Sequence, residues 1–148
     1  MGSKEASTAA GRALTVIGLA RVIELAVREA GVSPARFRAL SAVKMGVSAS
    51  DLLARFLGVT PSTVTTVMDG LVDHGLVVRE AREGDRRRVD YALTSEGERV
   101  IASANQVAVA ALDEMAQYVE PSARAAALAS FDDWGRAIEA RRDHWGDA

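Results

Sequence analysis

Residues 58–97 of this protein read GVTPSTVTTVMDGLVDHGLVVREAREGDRRRVDYALTSEG. Thr60 is a preferred N-cap residue and Pro61 follows it at the first helical position, so a helix is predicted to begin here. His74-Gly75 is predicted to end that helix, because glycine favours the left-handed conformation of a C-terminal cap. The apolar positions between them form a stripe wide enough to dock on other helices: Val64, Val67, Met68, Leu71 and Val72.

A β-hairpin is predicted directly after this helix. Residues 76–79 and 89–93 are β-favouring runs that flank a long charged tip, residues 80–88, with Gly84-Asp85 at its middle. Segment 79–88 holds five arginines and three acidic residues, a net charge of +2, although the whole chain carries −2. Guanidinium groups at a hairpin tip can pair with phosphates or enter a DNA minor groove. An isolated charge run is more often a solvated turn, so the position of this hairpin after the helix is what indicates a function.

A shorter helix precedes residue 58. Ser48 is its predicted N-cap, with Asp51 three residues on as a variant of the capping box. Its predicted buried positions are Leu52, Leu53 and Phe56. Two short helices joined by a glycine-containing turn are typical of a helix-turn-helix, in which the second helix keeps a free polar face. Here that face consists of Ser62, Thr63, Thr65, Thr66, Asp69 and Asp73.

Helices are also predicted on either side of this block. The first covers residues 8–30, and Ser33-Pro34 starts a second. A long helix follows Thr94, and Pro121 opens the last one. The predicted fold class is therefore mainly α with a small β-hairpin wing, a winged helix-turn-helix over residues 33–94 with helical segments 8–31 and 95–142. A length of 148 residues fits a single domain.

Composition excludes several functions. There is no cysteine, which removes disulfides, thiolate metal sites and thiol catalysis. No segment approaches the roughly 20 apolar residues of a membrane span, and no signal peptide is evident, so a cytoplasmic protein is expected. The two histidines, His74 and His144, are far apart in sequence, so no metal is expected. No catalytic or dinucleotide motif is present, so neither an enzyme nor a cofactor is predicted.

His74 suits a structural role at a helix end, as a partly charged imidazole on the negative end of the dipole.

Five segments together resemble the multiple-antibiotic-resistance regulator (MarR) family of transcription regulators. They match it densely over about 45 residues. The helix order on either side extends the likeness to nearly the whole chain. The segments are Asp51-Leu52-Leu53-Ala54, Thr60-Pro61-Ser62-Thr63-Val64-Thr65, Leu71 with His74-Gly75-Leu76-Val77-Val78-Arg79, Asp85-Arg86-Arg87, and Leu93-Thr94-Ser95-Glu96-Gly97.

The resemblance implies a ligand-responsive repressor that acts as an obligate homodimer on a pseudo-palindromic operator in double-stranded DNA. Residues 8–31 and 95–142 would form the dimerisation region, and a small aromatic or phenolic effector would bind between it and the reading head. A partner chain is a plausible cover for the apolar set Met115, Leu128, Phe131 and Trp134, although packing within one chain is the alternative. The absence of cysteine argues against the peroxide-sensing branch of the family.

The resemblance also assigns roles in the wing. Asp85 would brace the wing through arginine pairing, Arg87 would reach the minor groove, and Arg86 and Arg88 would contact phosphates. Arg82 is the remaining wing candidate. Further candidates for phosphate contacts are Ser48, Ser50 and Arg79.

The recognition helix departs from many relatives. It has no basic residue from Thr60 to Asp73, whereas relatives often carry arginine or lysine at the positions of Thr66 and Gly70. Base readout is therefore expected to depend on hydroxyl and methyl groups, which can contact several bases and the thymine methyl. The predicted DNA-contacting residues of this helix are Thr60, Ser62, Thr63, Thr65 and Thr66.

Two other functions remain open. The acidic chain and the uncharged recognition helix also suit a winged-helix module that binds protein without DNA. A small enzyme is the third class, and a bound cofactor or metal would favour it. Salt-sensitive binding to duplex DNA separates the first alternative from a DNA-binding regulator.

Overall fold

The computed structural model describes residues 9–82 and 85–143. Within these residues, six helices and one hairpin follow each other in the predicted order. Their bounds are α1 Ala9–Glu29, α2 Pro34–Lys44, α3 Ser50–Leu57, α4 Pro61–Asp73, β1 Val77–Arg82, β2 Asp85–Leu93, α5 Ser95–Ala116 and α6 Pro121–Asp143.

Three of the predicted helix starts are capped by the expected side chains. The hydroxyl of Ser33 accepts from the backbone N–H of Arg36 at 3.4 Å, and Pro34 takes the first position of α2. Thr60 caps α4 and Thr94 caps α5, each accepting from the backbone N–H three residues on. Such caps stabilise a helix end by about 1 kcal/mol, because they satisfy a donor that the helix leaves open.

The prediction for the start of α3 is wrong. Its N-cap is Ala49, with no side-chain cap, and not Ser48. Residues 48–49 are paired with the hairpin instead: Ala49 forms a bridge with Asp90, and the carbonyl of Ser48 accepts from the N–H of Tyr91 at 3.0 Å. The backbone of this segment thus acts as a short third strand, and that pairing fixes where the helix begins.

The hairpin strands are longer than predicted. The antiparallel ladder runs from Val77 opposite Leu93 to Ala81 opposite Val89, and after a register shift it ends at Arg82 opposite Asp85. The predicted charged tip, residues 80–88, is therefore largely strand. Main-chain pairing is what extends these strands, and it needs no apolar side chain at the added positions.

A single buried cluster joins α2, α3, α4, the hairpin and the first turns of α5; we call these residues, 34–101, the central unit. Its fully buried large side chains include Leu40, Leu53, Met68, Leu71 and Ile101. The predicted stripe of α4 lies in this core, with Val67 and Val72 packed at its edge. Each such side chain contributes roughly 1.5–3 kcal/mol of hydrophobic stabilisation.

The start of α5 is tied closely to the turn between α4 and β1. The N–H of Thr94 donates to the carbonyl of Leu76 at 3.1 Å, and its hydroxyl donates to the carbonyl of Gly75 at 2.6 Å. A Cβ on Gly97 would lie 2.0 Å from the Leu76 carbonyl oxygen. Only glycine permits this approach. An ion pair between Lys44 and Glu98, 2.6 Å from Nζ to Oε2, holds the same end of α5 to α2.

Helices α1 and α6, which we call the flanking helices, bury little of their apolar surface. Within α1, Val27 packs on Ala104 and Ala108 of α5, but Leu14 is 68% exposed. On α6, Trp134 is 67% exposed, so no described part of the chain covers it. No helix in residues 9–82 and 85–143 combines the length and apolarity that a membrane span needs.

Candidate nucleic-acid interface

The exposed side of α4 is held outward by the opposite, buried side. Val64, Met68 and Leu71 are almost fully buried, and they fix the rotation of the helix about its own axis. Ser62, Thr63, Thr65 and Thr66 are consequently exposed. The structure therefore brings together on one solvent-facing surface the side chains that the sequence predicts to contact bases.

The first turn of α4 carries a cluster of three hydroxyl groups. Thr60 Oγ1 lies 3.0 Å from Ser62 Oγ and 2.9 Å from Thr63 Oγ1, and it also accepts from the N–H of Thr63. Each hydroxyl has one hydrogen, so the two oxygen–oxygen contacts use two of the three protons. One hydroxyl donor thus remains at the helix N-terminus, where the helix dipole favours an anion such as phosphate.

The second turn of α4 is arranged differently. Thr65 Oγ1 donates to the carbonyl of Pro61, and Thr66 Oγ1 donates to the carbonyl of Ser62, both at 3.1 Å. These hydroxyl hydrogens are directed back along the helix. Lone pairs and γ-methyl groups are what Thr65 and Thr66 present to solvent.

A cation from the hairpin lies beside α4. The guanidinium of Arg79, on β1, forms an ion pair with Asp69 on α4. A hydrogen bond with the side chain of Tyr91, followed by the bond to Asp69, raises the pKa of Arg79 above its ordinary value. Arg79 thus supplies positive charge next to a helix that has none of its own, and about half of its side chain stays exposed.

The sequence did not reveal this link between Arg79 and Asp69. The two residues are ten positions apart, on different elements, and no helical or cross-strand spacing relates them. Arg79 lies opposite Tyr91 in the hairpin, while Asp69 lies on the last turns of α4. Their contact follows from the angle at which β1 leaves α4.

The end of α4 makes a second unpredicted contact. The guanidinium of Arg36 lies 3.2 Å from Nε2 of His74, and Nδ1 of His74 lies 2.5 Å from the carbonyl of Gly70. His74 thus contacts both α4 and α2, which fits the structural role predicted for it.

Ser48 and Ser50, predicted to contact phosphates, are half-buried beside the hairpin. Ser48 contributes its carbonyl to Tyr91, and Ser50 is the first residue of α3. No structural observation tests a phosphate contact at either position, and both stay predictions.

The wing residues are described only by their backbone. Asp85, Arg86, Arg87 and Arg88 begin β2 and Arg82 ends β1, while residues 83–84 lie outside the described residues. The side chains of residues 82 and 85–88 lie outside them as well, so their predicted DNA contacts stay predictions. His144 also lies beyond the described part of the chain.

A small cavity lies next to Thr63, between α2, α3 and α4. Its volume is about 50 Å³, and Arg38, Leu57 and Val67 are among its lining residues. This is room for a few water molecules, because one water needs at least about 10–15 Å³ of such volume. Within the described residues, no group of three or more histidine and acidic side chains is placed to hold a metal ion.

A family model described as the MarR family matches residues 30–88. This segment includes α2, α3, α4, β1 and the start of β2. Among curated proteins, none matches the chain.

Solved structures resemble nearly the whole chain. A cysteine-to-serine variant of MarR from E. coli has a TM-score of 0.69 and 19% identity, covering 86% of this chain and 94% of its own. A MarR-family transcriptional regulator from Rhodococcus sp. RHA1 has a TM-score of 0.69 and 22% identity, covering 93% and 96%. The E. coli variant complexed with operator DNA has a TM-score of 0.63 and 19% identity, covering 86% and 91%. At these identities the likeness is one of fold, and the predicted fold class is confirmed.

Proposed function

We propose that this chain, whose residues 30–88 match a model of the MarR family, is a sequence-specific DNA-binding transcription regulator that acts as a homodimer on a pseudo-palindromic operator. We further propose that it is a repressor that works in the cytoplasm and responds to a small aromatic or phenolic effector. The observation that carries the proposal is the solvent-facing row of hydroxyl side chains on α4, a helix anchored by its buried opposite side.

The shape of α4 suits a DNA groove. The B-DNA major groove admits one α-helix, and the second helix of a helix-turn-helix is the one that enters it. Gly58, at a φ of +65°, ends α3 and turns the chain directly into the cap of α4. Pro61 has no N–H and the N–H of Thr63 donates to Thr60, so the N–H of Ser62 is the first-turn donor proposed to meet a phosphate at the groove edge.

The charge distribution supports the same partner. Segment 79–88 has a net charge of +2 within a chain of −2, and Arg79 already lies against α4. Phosphate contacts from Lys and Arg supply most of the non-specific DNA affinity. One similar solved structure, the E. coli MarR variant, is complexed with operator DNA. We propose that duplex DNA is also the partner of this chain.

The flanking helices support a homodimer. Leu14, Ile17, Trp134 and Ile138 are large apolar side chains that this chain leaves largely exposed. A two-fold interface over such a surface buries the same patch of both subunits, and it sets two copies of α4 on half-sites about 34–36 Å apart. An effector that favours one spacing of the two helices would shift the population between DNA-competent and incompetent forms.

Selection of duplexes from a random pool, followed by titration of the selected DNA at several salt concentrations, tests the proposal. We expect a two-fold symmetric site and an affinity that falls linearly with the logarithm of salt concentration. Repeating the titration with phenolic compounds tests the effector. Affinity that does not change with salt, or the absence of a selected site, would contradict the proposed function.

The Arg87→Ala variant addresses the wing. We expect weaker binding to every duplex and a salt slope smaller by about 1, because a lost phosphate or minor-groove contact carries little base information. Arg136→Ala is the matched control, since Arg136 lies on α6 in an ion pair with Asp133. An unchanged slope for Arg87→Ala would exclude a phosphate contact there.

The absence of any basic residue in residues 60–73 also favours a second candidate function, a winged-helix module that binds protein without DNA. In that case the hydroxyl surface of α4 would face a protein. The same salt titration separates the two functions, because the protein-binding module would show no salt-sensitive affinity for duplex DNA.

A further inference from the structure

We propose that the second turn of α4 selects thymine–adenine base pairs through their C5-methyl groups, with Thr65 and Thr66 as the specificity-determining residues. This inference rests on the proposed function, since it names the base chemistry that the same surface would recognise. It depends on where the hydroxyl hydrogens of two exposed threonines point.

Thr65 and Thr66 have no hydroxyl donor left for a base. Their hydrogens are directed to the carbonyls of Pro61 and Ser62, at 3.1 Å in each case. A threonine hydroxyl has a single hydrogen, so each side chain offers only oxygen lone pairs and a methyl group. Both residues are exposed.

The rest of this turn does not restore a donor. Asp69, one turn further along, is an acceptor and is paired with Arg79. The hydroxyl cluster of Thr60, Ser62 and Thr63 keeps one free proton, but it lies at the first turn, where the helix dipole favours a phosphate. The side chains of α4 itself thus offer only methyl groups and acceptors here, and the nearest donor is the guanidinium of Arg79 on β1, which is held by Asp69.

Such a surface discriminates between base pairs in the major groove. Guanine presents only acceptors there, N7 and O6, and it needs the donors that arginine or lysine usually supplies. Against Thr65 and Thr66, whose hydroxyl hydrogens are already used, these acceptors would lose water without gaining a partner. The amino groups of adenine (N6) and of cytosine (N4) can both donate to a hydroxyl oxygen, so the feature that separates a thymine–adenine pair is the thymine methyl group, which packs on a threonine methyl.

The test uses the full chain and a duplex selected from a random pool. Thymines are replaced one at a time by deoxyuridine, which lacks only the C5-methyl group. At the positions that face Thr65 and Thr66, we expect binding to weaken about fourfold for each methyl removed, the ratio that corresponds to roughly 0.8 kcal/mol per buried carbon.

Variants assign the effect to individual side chains. Thr65→Ser and Thr66→Ser keep the hydroxyl and lose the methyl, so each should lose the discrimination between thymine and deoxyuridine at one position. Thr65→Val keeps a methyl and removes the hydroxyl, and it should retain the discrimination. Thr15→Ser is the matched control, because Thr15 on α1 makes the same hydrogen bond to the residue four positions back, at 3.0 Å.

Three results would overturn the inference. Salt-sensitive binding with equal affinity for thymine and deoxyuridine at every position would exclude methyl readout and leave the proposed function standing. A selected site with guanine under the second turn of α4 would do the same. The absence of any salt-sensitive DNA binding would remove the proposed function and this inference together.

Discussion

The central unit and the flanking helices use apolar residues in opposite ways. In the central unit, Leu40, Leu53, Met68 and Leu71 are completely buried by residues of the same chain. In α1 and α6, side chains of similar size face solvent, as Trp134 does. The difference shows that one chain is sufficient to build the surface proposed to bind DNA. The described residues leave much of the apolar surface of the flanking helices exposed, which is why we propose a second copy there.

The largest effect on stability is expected from a cavity in the core of the central unit. Leu71→Ala removes a completely buried side chain from α4 and should lower the free energy of unfolding by about 2–5 kcal/mol. Urea unfolding measures this loss. Val78→Ala, at an exposed position of β1, is the control and should change stability little. Equal losses for the two variants would contradict the contrast between core and surface.

Gly97→Ala tests the close approach of α5 to the turn after α4. Alanine is favoured over glycine by about 1 kcal/mol inside a helix, but its Cβ would meet the carbonyl oxygen of Leu76 at 2.0 Å. We expect the clash to outweigh this preference and to lower the free energy of unfolding by about 3 kcal/mol, as measured by thermal or urea unfolding.

Gly70→Ala is the matched control for Gly97→Ala. Gly70 is also a helix-interior glycine, and a Cβ there meets nothing within 4 Å. Gly70→Ala should therefore raise the free energy of unfolding by up to about 1 kcal/mol. If Gly97→Ala stabilised the protein as Gly70→Ala does, the described contact with Leu76 would be wrong.

Trp134→Ser addresses the flanking helices. If a second copy covers α6, the variant should weaken association by about 2 kcal/mol, which is roughly a 30-fold rise in the dimer dissociation constant. Analytical ultracentrifugation over a range of concentrations measures it. Val78→Ser, an exposed apolar position of the hairpin, should leave association unchanged. A monomeric wild-type protein would contradict the proposed dimer.

The smallest effect is expected at the start of α5. A hydrogen bond from Arg99 lowers the pKa of the Glu96 carboxyl below its ordinary value. The folded state therefore holds this proton less tightly than the unfolded state. The resulting stabilisation is present above the ordinary pKa of glutamate, and it is lost as the pH falls through the lowered value. Both side chains are at least half exposed, so the contribution is small.

Glu96→Gln tests that contribution. The difference in urea stability between this variant and the wild type should be measurable near neutral pH and should vanish in acid. Glu139→Gln, on an exposed part of α6, is a control for removing one carboxylate. A difference that grows as the pH falls would contradict the assigned direction of the pKa change.

Local chemistry was enough to predict much of the fold. The pairs Ser33-Pro34 and Thr60-Pro61 and the cap residue Thr94 mark three helix starts, because a cap needs only the N–H groups two or three residues on. The stripe of α4 was recognisable because burial at helical spacing repeats within one element. The same periodicity predicts which residues of α4 face solvent, because the hydroxyl residues lie between the buried positions.

Contacts between distant segments could not be predicted from these signals. Ser48 looked like a cap, yet its backbone pairs with the hairpin more than 40 residues later. The pairing of Arg79 with Asp69 and the approach of Gly97 to Leu76 depend on the angles between elements, which no local spacing encodes. Residue types and their periods thus define the elements and the polar face of α4. The packed chain sets the direction of each hydroxyl hydrogen and the position of each charge around that face, since both depend on atoms brought together by folding.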